Sequence, residues 1–172
     1  MKKRLPIGND DFAEVRKQNL YFIDKSLMIR DFLDTGDKVT LITRPRRFGK
    51  TLNMTMLREF FDITKDSRQL FQGLSIMDTE YANQINSRPV IFLTLKDCKG
   101  TTAQEMLLLI KKQIYLEYMR YEKNMKGKLD ESSLLAQDFR AMIDVLRDPA
   151  SLPVLFTDSI RLLCQIIREQ YG

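Results

Sequence analysis

The stretch from Lys38 to Phe61, KVTLITRPRRFGKTLNMTMLREFF, limits what this chain can fold into more than any other. Val39-Thr40-Leu41-Ile42-Thr43 is short, apolar and rich in β-branched residues, the pattern of a buried strand. Arg44-Pro45-Arg46-Arg47-Phe48-Gly49-Lys50-Thr51 interrupts it. A helical pattern follows, with Leu52, Met56, Leu57, Phe60 and Phe61 on one face. Strand, glycine-lysine-threonine loop and helix form the context that a phosphate-binding loop requires.

The chemistry of such a loop is local. Backbone N–H groups from about Arg46 to Thr51 would turn inward where the helix begins. There the unsatisfied donors and the positive end of the helix dipole attract anions. Gly49 would let the backbone approach phosphate oxygens closely. Lys50 would set an ammonium on the outer phosphates, and the Thr51 hydroxyl would ligate Mg2+. The general pattern G-x-x-x-x-G-K-[ST] has glycine where this chain has Arg44, so the match is partial. Pro45 locks its own φ and disfavours helical geometry at Arg44, so proline stiffness can hold the loop entry. Without its flanks, Gly49-Lys50-Thr51 reads equally as a basic turn that opens a helix.

The runs LPIGNDDF, LYFIDKSLMIRDFL and KVTLITRPRRFGKTLNMTMLREFFDI resemble the bacterial AAA-ATPase-like proteins. These are P-loop ATPases often followed by a nuclease-like domain of the PD-(D/E)XK type. The resemblance spans roughly residues 5 to 100 and thins beyond. In that family Arg-Pro-Arg-Arg-Phe-Gly-Lys-Ser/Thr is the Walker A motif, so Arg44 is the expected residue there. The resemblance implies ATP and Mg2+ as cofactors. It implies a nucleotide site made of Arg44, Pro45, Arg46, Arg47, Phe48, Gly49, Lys50, Thr51 and Leu52, with Thr51 on the metal. It also implies an α/β, P-loop NTPase-like fold in which helices flank a parallel sheet.

Composition sets the bounds. The chain has 172 residues, 44% apolar and 30% charged, a globular mix sufficient for one domain. Histidine is absent, which excludes Ser-His-Asp and Cys-His mechanisms and removes the usual zinc ligands. Chemistry is left to carboxylates, lysine, arginine, hydroxyls and an oxygen-held metal. Cys98 and Cys164 cannot build a disulfide framework and suit a reducing cytoplasm, both as core or near-core thiols. No apolar run has transmembrane length, and no signal-peptide core follows the basic start, so a membrane is not an expected partner. The net charge of +5 permits polyanion binding without demanding it.

Upstream of the loop, Pro6 to Asp10 is turn chemistry and a short helix is expected over Asp11 to Gln18. Asp24 is the candidate cap of a helix from Lys25 to Asp34, with Met28, Ile29, Phe32 and Leu33 buried and Gly36 at its end. The resemblance implies Tyr21 or Phe22 near an adenine and Asp24-Lys25 bracing the loop; a helix cap and its neighbour is the plain alternative. For Arg46 and Arg47, a bidentate phosphate clamp, a nucleic-acid contact and a solvated side chain stand side by side.

Downstream, Leu70 to Leu74 reads as a short helix, and Pro89 to Leu95 as a second strand buried on both faces. Asp97 follows that strand, as a metal carboxylate of Walker B kind or as part of a turn. Thr102 and Glu105 form a capping box for a helix from Ala103 to about Lys126, with Leu107, Ile110, Ile114, Tyr118 and Tyr121 on one face. Gly127 would end it, with Lys123, Lys126 and Lys128 nearby. A helix over Ser133 to Arg147 turns Leu134, Phe139, Ile143 and Leu146 to the core. A last helix runs from Thr157 or Asp158 to about Gln170 with Ile160, Leu163, Cys164 and Ile167. Val154 to Asp158 is a rival Walker B, though Thr157 and Asp158 also serve as caps.

The expected organisation is one partial P-loop ATPase domain over 1–172, with a lead-in over 1–37, strand-loop-helix over 38–61 and the remainder over 62–172. The resemblance places the Walker B strand after the equivalent of Tyr171-Gly172, so the sheet is expected to be incomplete and hydrolysis weak or absent. No catalytic residue is assigned. Exposed strand edges would favour self-association or a downstream nuclease-like domain. The alternative is a non-catalytic scaffold for nucleic acid or a protein, using the basic loop.

Overall fold

The computed structural model describes residues 3–43, 45, 48–125 and 130–172. Arg44, Arg46, Arg47, Lys126, Gly127 and Lys128, to which roles were assigned above, lie outside the described residues. The chain divides into two compact units, Met1–Val90 and Ile91–Gly172.

Among the described residues the first unit holds three α-helices: α1 (Phe12–Lys17), α2 (Leu27–Thr35) and α3 (Lys50–Phe61). Short 3-10 turns follow at Arg68–Phe71, Ser75–Asp78 and Glu80–Gln84. Its core is aromatic. Phe12 meets Phe71 at 4.9 Å between ring centroids, Phe60 meets Phe71 at 5.4 Å, and Ile29, Met56, Leu74 and Ile76 close around them. Asp11 caps α1 by accepting the Glu14 N–H at 3.1 Å. Arg16 ties α1 to the first 3-10 turn, donating to the carbonyls of Leu70 and Gln72 at 2.7 and 2.8 Å.

Asp24 works differently from its expected role. α2 begins at Leu27, and Ser26 occupies the cap position without a side-chain cap bond. One Asp24 oxygen accepts the Ser26 N–H, and the other accepts both the N–H and the hydroxyl of Ser75 at 2.8 Å. Burial pushes this carboxyl up, but the Ser75 and Ser26 hydrogen bonds outweigh it and hold it below its ordinary value. Asp24 therefore joins α2 to the Ser75 turn.

The C-terminal end of α3 is closed completely. Asp62 N–H bonds to the Arg58 carbonyl, the Asn86 amide side chain to those of Glu59 and Asp62, Asn86 N–H to that of Phe60, and Arg88 N–H to that of Phe61. Asn86 reaches this position with φ of 58°, a left-handed conformation that asparagine tolerates. Below it, the buried Glu59 carboxylate accepts Ser67 Oγ at 2.6 Å and pairs with Lys65 at 2.9 Å and Arg58 at 3.2 Å.

The second unit packs together, among the described residues, α4 (Ala103–Met125), α5 (Leu134–Arg147) and α6 (Ser159–Tyr171). Tyr118 stacks on Phe139 at 4.9 Å and donates its hydroxyl to the Ser159 carbonyl at 2.6 Å. Tyr121, Met125, Ile143, Leu146, Leu163 and Ile166 complete the core. The α4 box forms: Thr102 Oγ1 accepts the Glu105 N–H, and the Glu105 carboxylate reaches back to Thr101. Ser133 caps α5 through the Ala136 N–H. Leu134, expected toward the core, is exposed, and so is Cys164; Cys98 is buried.

The expected parallel α/β sheet is overturned. Among the described residues there is no sheet; the one β pairing is an isolated parallel bridge between Asp62 and Arg88. Val39 to Thr43 and Pro89 to Leu95 do not form strands. The physical reason is that β propensity expresses fit to a pleated, half-buried surface rather than a preference of the lone segment. Here Val39 and Leu41 are 85% and 83% exposed, so the first run has no such surface around it. In the other run Val90 packs on the aromatic core of the first unit and Ile91 on the helical core of the second, while Leu93 and Leu95 are exposed, so it too lacks a sheet surface around it. Val154 to Phe156 lies in a 3-10 turn (Pro153–Phe156), which removes it as a strand.

Candidate functional site

The helix-opening half of the motif is built. α3 begins at Lys50, and Gly49 takes the cap position with φ of 72° and ψ of 21°. This left-handed conformation is what glycine supplies; a Cβ there would meet nothing within 4 Å, so backbone geometry and not crowding selects it. Gly49, at the cap position, makes no side-chain cap bond. The first closing bond runs from Asn53 N–H to the Gly49 carbonyl at 2.9 Å. The N–H groups of the first turn precede that ladder and form the positive end of the helix dipole.

An open pocket of about 490 Å³ lies at this end of α3. One wall is Pro45, Gly49, Lys50, Thr51 and Leu52; the other is Gly8, Asn9 and Asp10. Lys50 is exposed, and its Nζ donates to the Pro45 carbonyl at 3.3 Å. Phe48 is exposed as well. The pocket thus gathers Pro45, Gly49, Lys50, Thr51 and Leu52 from the expected set.

Sequence reasoning did not place the second wall there. It is clamped by α3 itself. Thr55 Oγ1 accepts the Phe12 N–H at 3.0 Å and donates to the Asp10 and Leu52 carbonyls, while Arg58 pairs with Asp11 at 3.1 Å. Asn9 fixes the turn, accepting the Asp11 N–H and donating to Glu14. The available signal was polar: Thr55 and Arg58 share the side of α3 that meets Asp10 to Phe12, yet they carry no apolar pattern to flag a buried contact.

Other candidates stand elsewhere. Phe22 packs edge-on against Phe12 at 5.4 Å, in the aromatic core, and Tyr21 is half exposed. Neither lines the pocket, and Asp24 is committed to Ser26 and Ser75. Asp97 is an exposed turn residue of the second unit. Asp158 pairs with Arg161 at 3.2 Å at the head of α6. Among the described residues no cluster of three or more metal-capable side chains occurs, and no helix is long and apolar enough to cross a membrane.

Comparison with known proteins identifies a family. Residues 6–156 match the family model described as Predicted AAA-ATPase. A protein of Azotobacter chroococcum mcd 1, described as an uncharacterized protein in the vnfD 5' region, is 37% identical over 78 residues. That match covers 45% of this chain and 14% of the relative, so the chain corresponds to a small part of that protein. No solved structure matches. With the greater part of its length, including the whole loop and both pocket walls, inside the matched region, the chain belongs to the predicted AAA-ATPase family.

Proposed function

We propose that the head of α3 binds the polyphosphate of ATP together with Mg2+. The observation that carries this is the junction at Gly49: a left-handed glycine, which makes no side-chain cap bond, opens the helix N-terminus onto a pocket edged by Lys50 and Thr51. Lys50 would offset the charge of the outer phosphates, and the Thr51 hydroxyl would hold the metal. When bound, Mg2+ would supply positive charge that offsets that of the phosphates. Arg44, Arg46 and Arg47 supply further cationic contacts, and Pro45 and Phe48 shape the loop. The role concerns nucleotide binding; no residue is assigned as the base for hydrolysis. Self-association and a nuclease-like neighbour remain partners the family resemblance implies.

Calorimetric titration with ATP and MgCl2 tests this on the wild type, Lys50→Ala and Thr51→Ala. Saturable binding that needs Mg2+ and weakens at least tenfold in both variants supports it. Equal affinity in all three overturns it. Binding that ignores Mg2+ but falls steeply with salt would instead support phosphate-backbone contacts by the basic loop.

A further inference from the structure

Among the described residues Lys111 is the buried charge of the second unit. It lies in α4 and is 3% exposed. Its Nζ donates to the Asp148 carbonyl and to the Ser151 hydroxyl, and the Phe156 ring face lies 5.6 Å away. Asp148 ends α5, so the ammonium stands at the carbonyl end of that helix, where a cation is favoured. These two neutral oxygens account for two of its three donors. No carboxylate pairs with it among the described residues. Burying an ammonium without a counter-ion is costly, so an anion supplied from outside would gain from the site.

A pocket of about 310 Å³ opens at this position. That size is at the small end of the roughly 300–1,000 Å³ typical of ligand sites. Its walls include Leu107, Leu108, Leu152, Pro153 and Phe156, and Lys111 is the one charged side chain that lines it. Such a site holds one anionic head and an apolar body. A phosphate dianion would bring more charge than a single ammonium offsets, and a neutral apolar molecule would leave the third donor unmet. A second cavity of about 360 Å³, lined by Lys112, Tyr115 and Arg147, shares Leu108, Lys111 and Pro149 with the first.

We propose that this pocket binds a small monocarboxylate with a hydrocarbon body, its carboxylate on the Lys111 ammonium and its chain against Leu107, Leu108, Leu152 and Phe156. The site is independent of the nucleotide pocket, which belongs to the first unit.

Sodium hexanoate and hexan-1-ol, titrated into the full chain and followed by calorimetry and 1H–15N spectra, test it. Hexanoate should bind saturably and at least tenfold more tightly than the alcohol. Lys111→Met should erase that preference, and Lys112→Gln should keep it. Leu152→Trp, which places an indole in the exposed wall and leaves Lys111 intact, should abolish binding of both. Equal affinities in the wild type, no saturable hexanoate binding, or hexanoate binding unchanged by Leu152→Trp would each overturn the proposal. The wild-type pair and Leu152→Trp decide it even where Lys111→Met does not fold.

Discussion

Thr55 Oγ1 accepts the backbone N–H of Phe12 across 3.0 Å, fastening a segment 43 residues upstream to the second turn of α3. The same hydroxyl donates to the Asp10 and Leu52 carbonyls. One side chain therefore sets the distance between the two walls of the candidate pocket.

Thr55→Val keeps the shape and removes the acceptor. The Phe12 N–H is then left in a buried setting without its partner, at a cost of about 1–3 kcal/mol. Urea unfolding should show that loss, and ATP affinity should fall with it because the Gly8–Asp10 wall loosens. Unchanged stability would show that Arg58 and Asp11 suffice as the clamp.

Gly49→Ala should destabilise the chain by about 1 kcal/mol, because an L-residue is strained in the left-handed conformation even with open space around its Cβ. Thermal melting measures this. The first turn of α3 would also shift to relieve the strain, so nucleotide binding should drop more than stability does.

Glu59 gives a pH signature. Burial raises its carboxyl, but Ser67, Lys65 and Arg58 together hold it below its ordinary value. A carboxyl lowered on folding contributes stability that is fully present above the unfolded value of about 4.3. That contribution is lost as pH falls from there through the lower folded value. Stability measured between about pH 6 and pH 3 should show this loss in the wild type and a shallower one in Glu59→Gln. At neutral pH, Glu59→Gln should cost about 2 kcal/mol, in keeping with charged hydrogen bonds.

Tyr118→Phe tests the second unit. It retains the stack on Phe139 and removes the hydroxyl that bonds to Ser159 O at 2.6 Å. The loss should be about 1–2 kcal/mol by chemical denaturation. A neutral result would mean that water replaces the phenol.

The helices were legible because their signals are local. Asp11, Ser133, Thr102 with Glu105, and Gly36 mark ends by side-chain bonds or a left-handed φ, and the apolar spacing of α3, α5 and α6 marks their inner faces. The strands misled because Val39 to Thr43 and Pro89 to Leu95 carry the composition of a sheet, while pairing is a property of neighbours that composition does not contain. At the site, Gly49, Lys50 and Thr51 were visible as a tripeptide. The opposing wall was not, since what holds it is Thr55 and Arg58, polar residues indistinguishable by type from those that face water. Asp24 shows the same limit, because its partner Ser75 lies 51 residues away.

α3 is moored at its tail and open at its head. Asn86 and Arg88 occupy the last carbonyls of the helix, whereas the glycine at its head makes no side-chain cap bond. The orientation of those leading donors is thus settled when the chain folds, before any guest arrives. An anion docking there would have little rearrangement to impose, and most of its contact energy would appear as affinity.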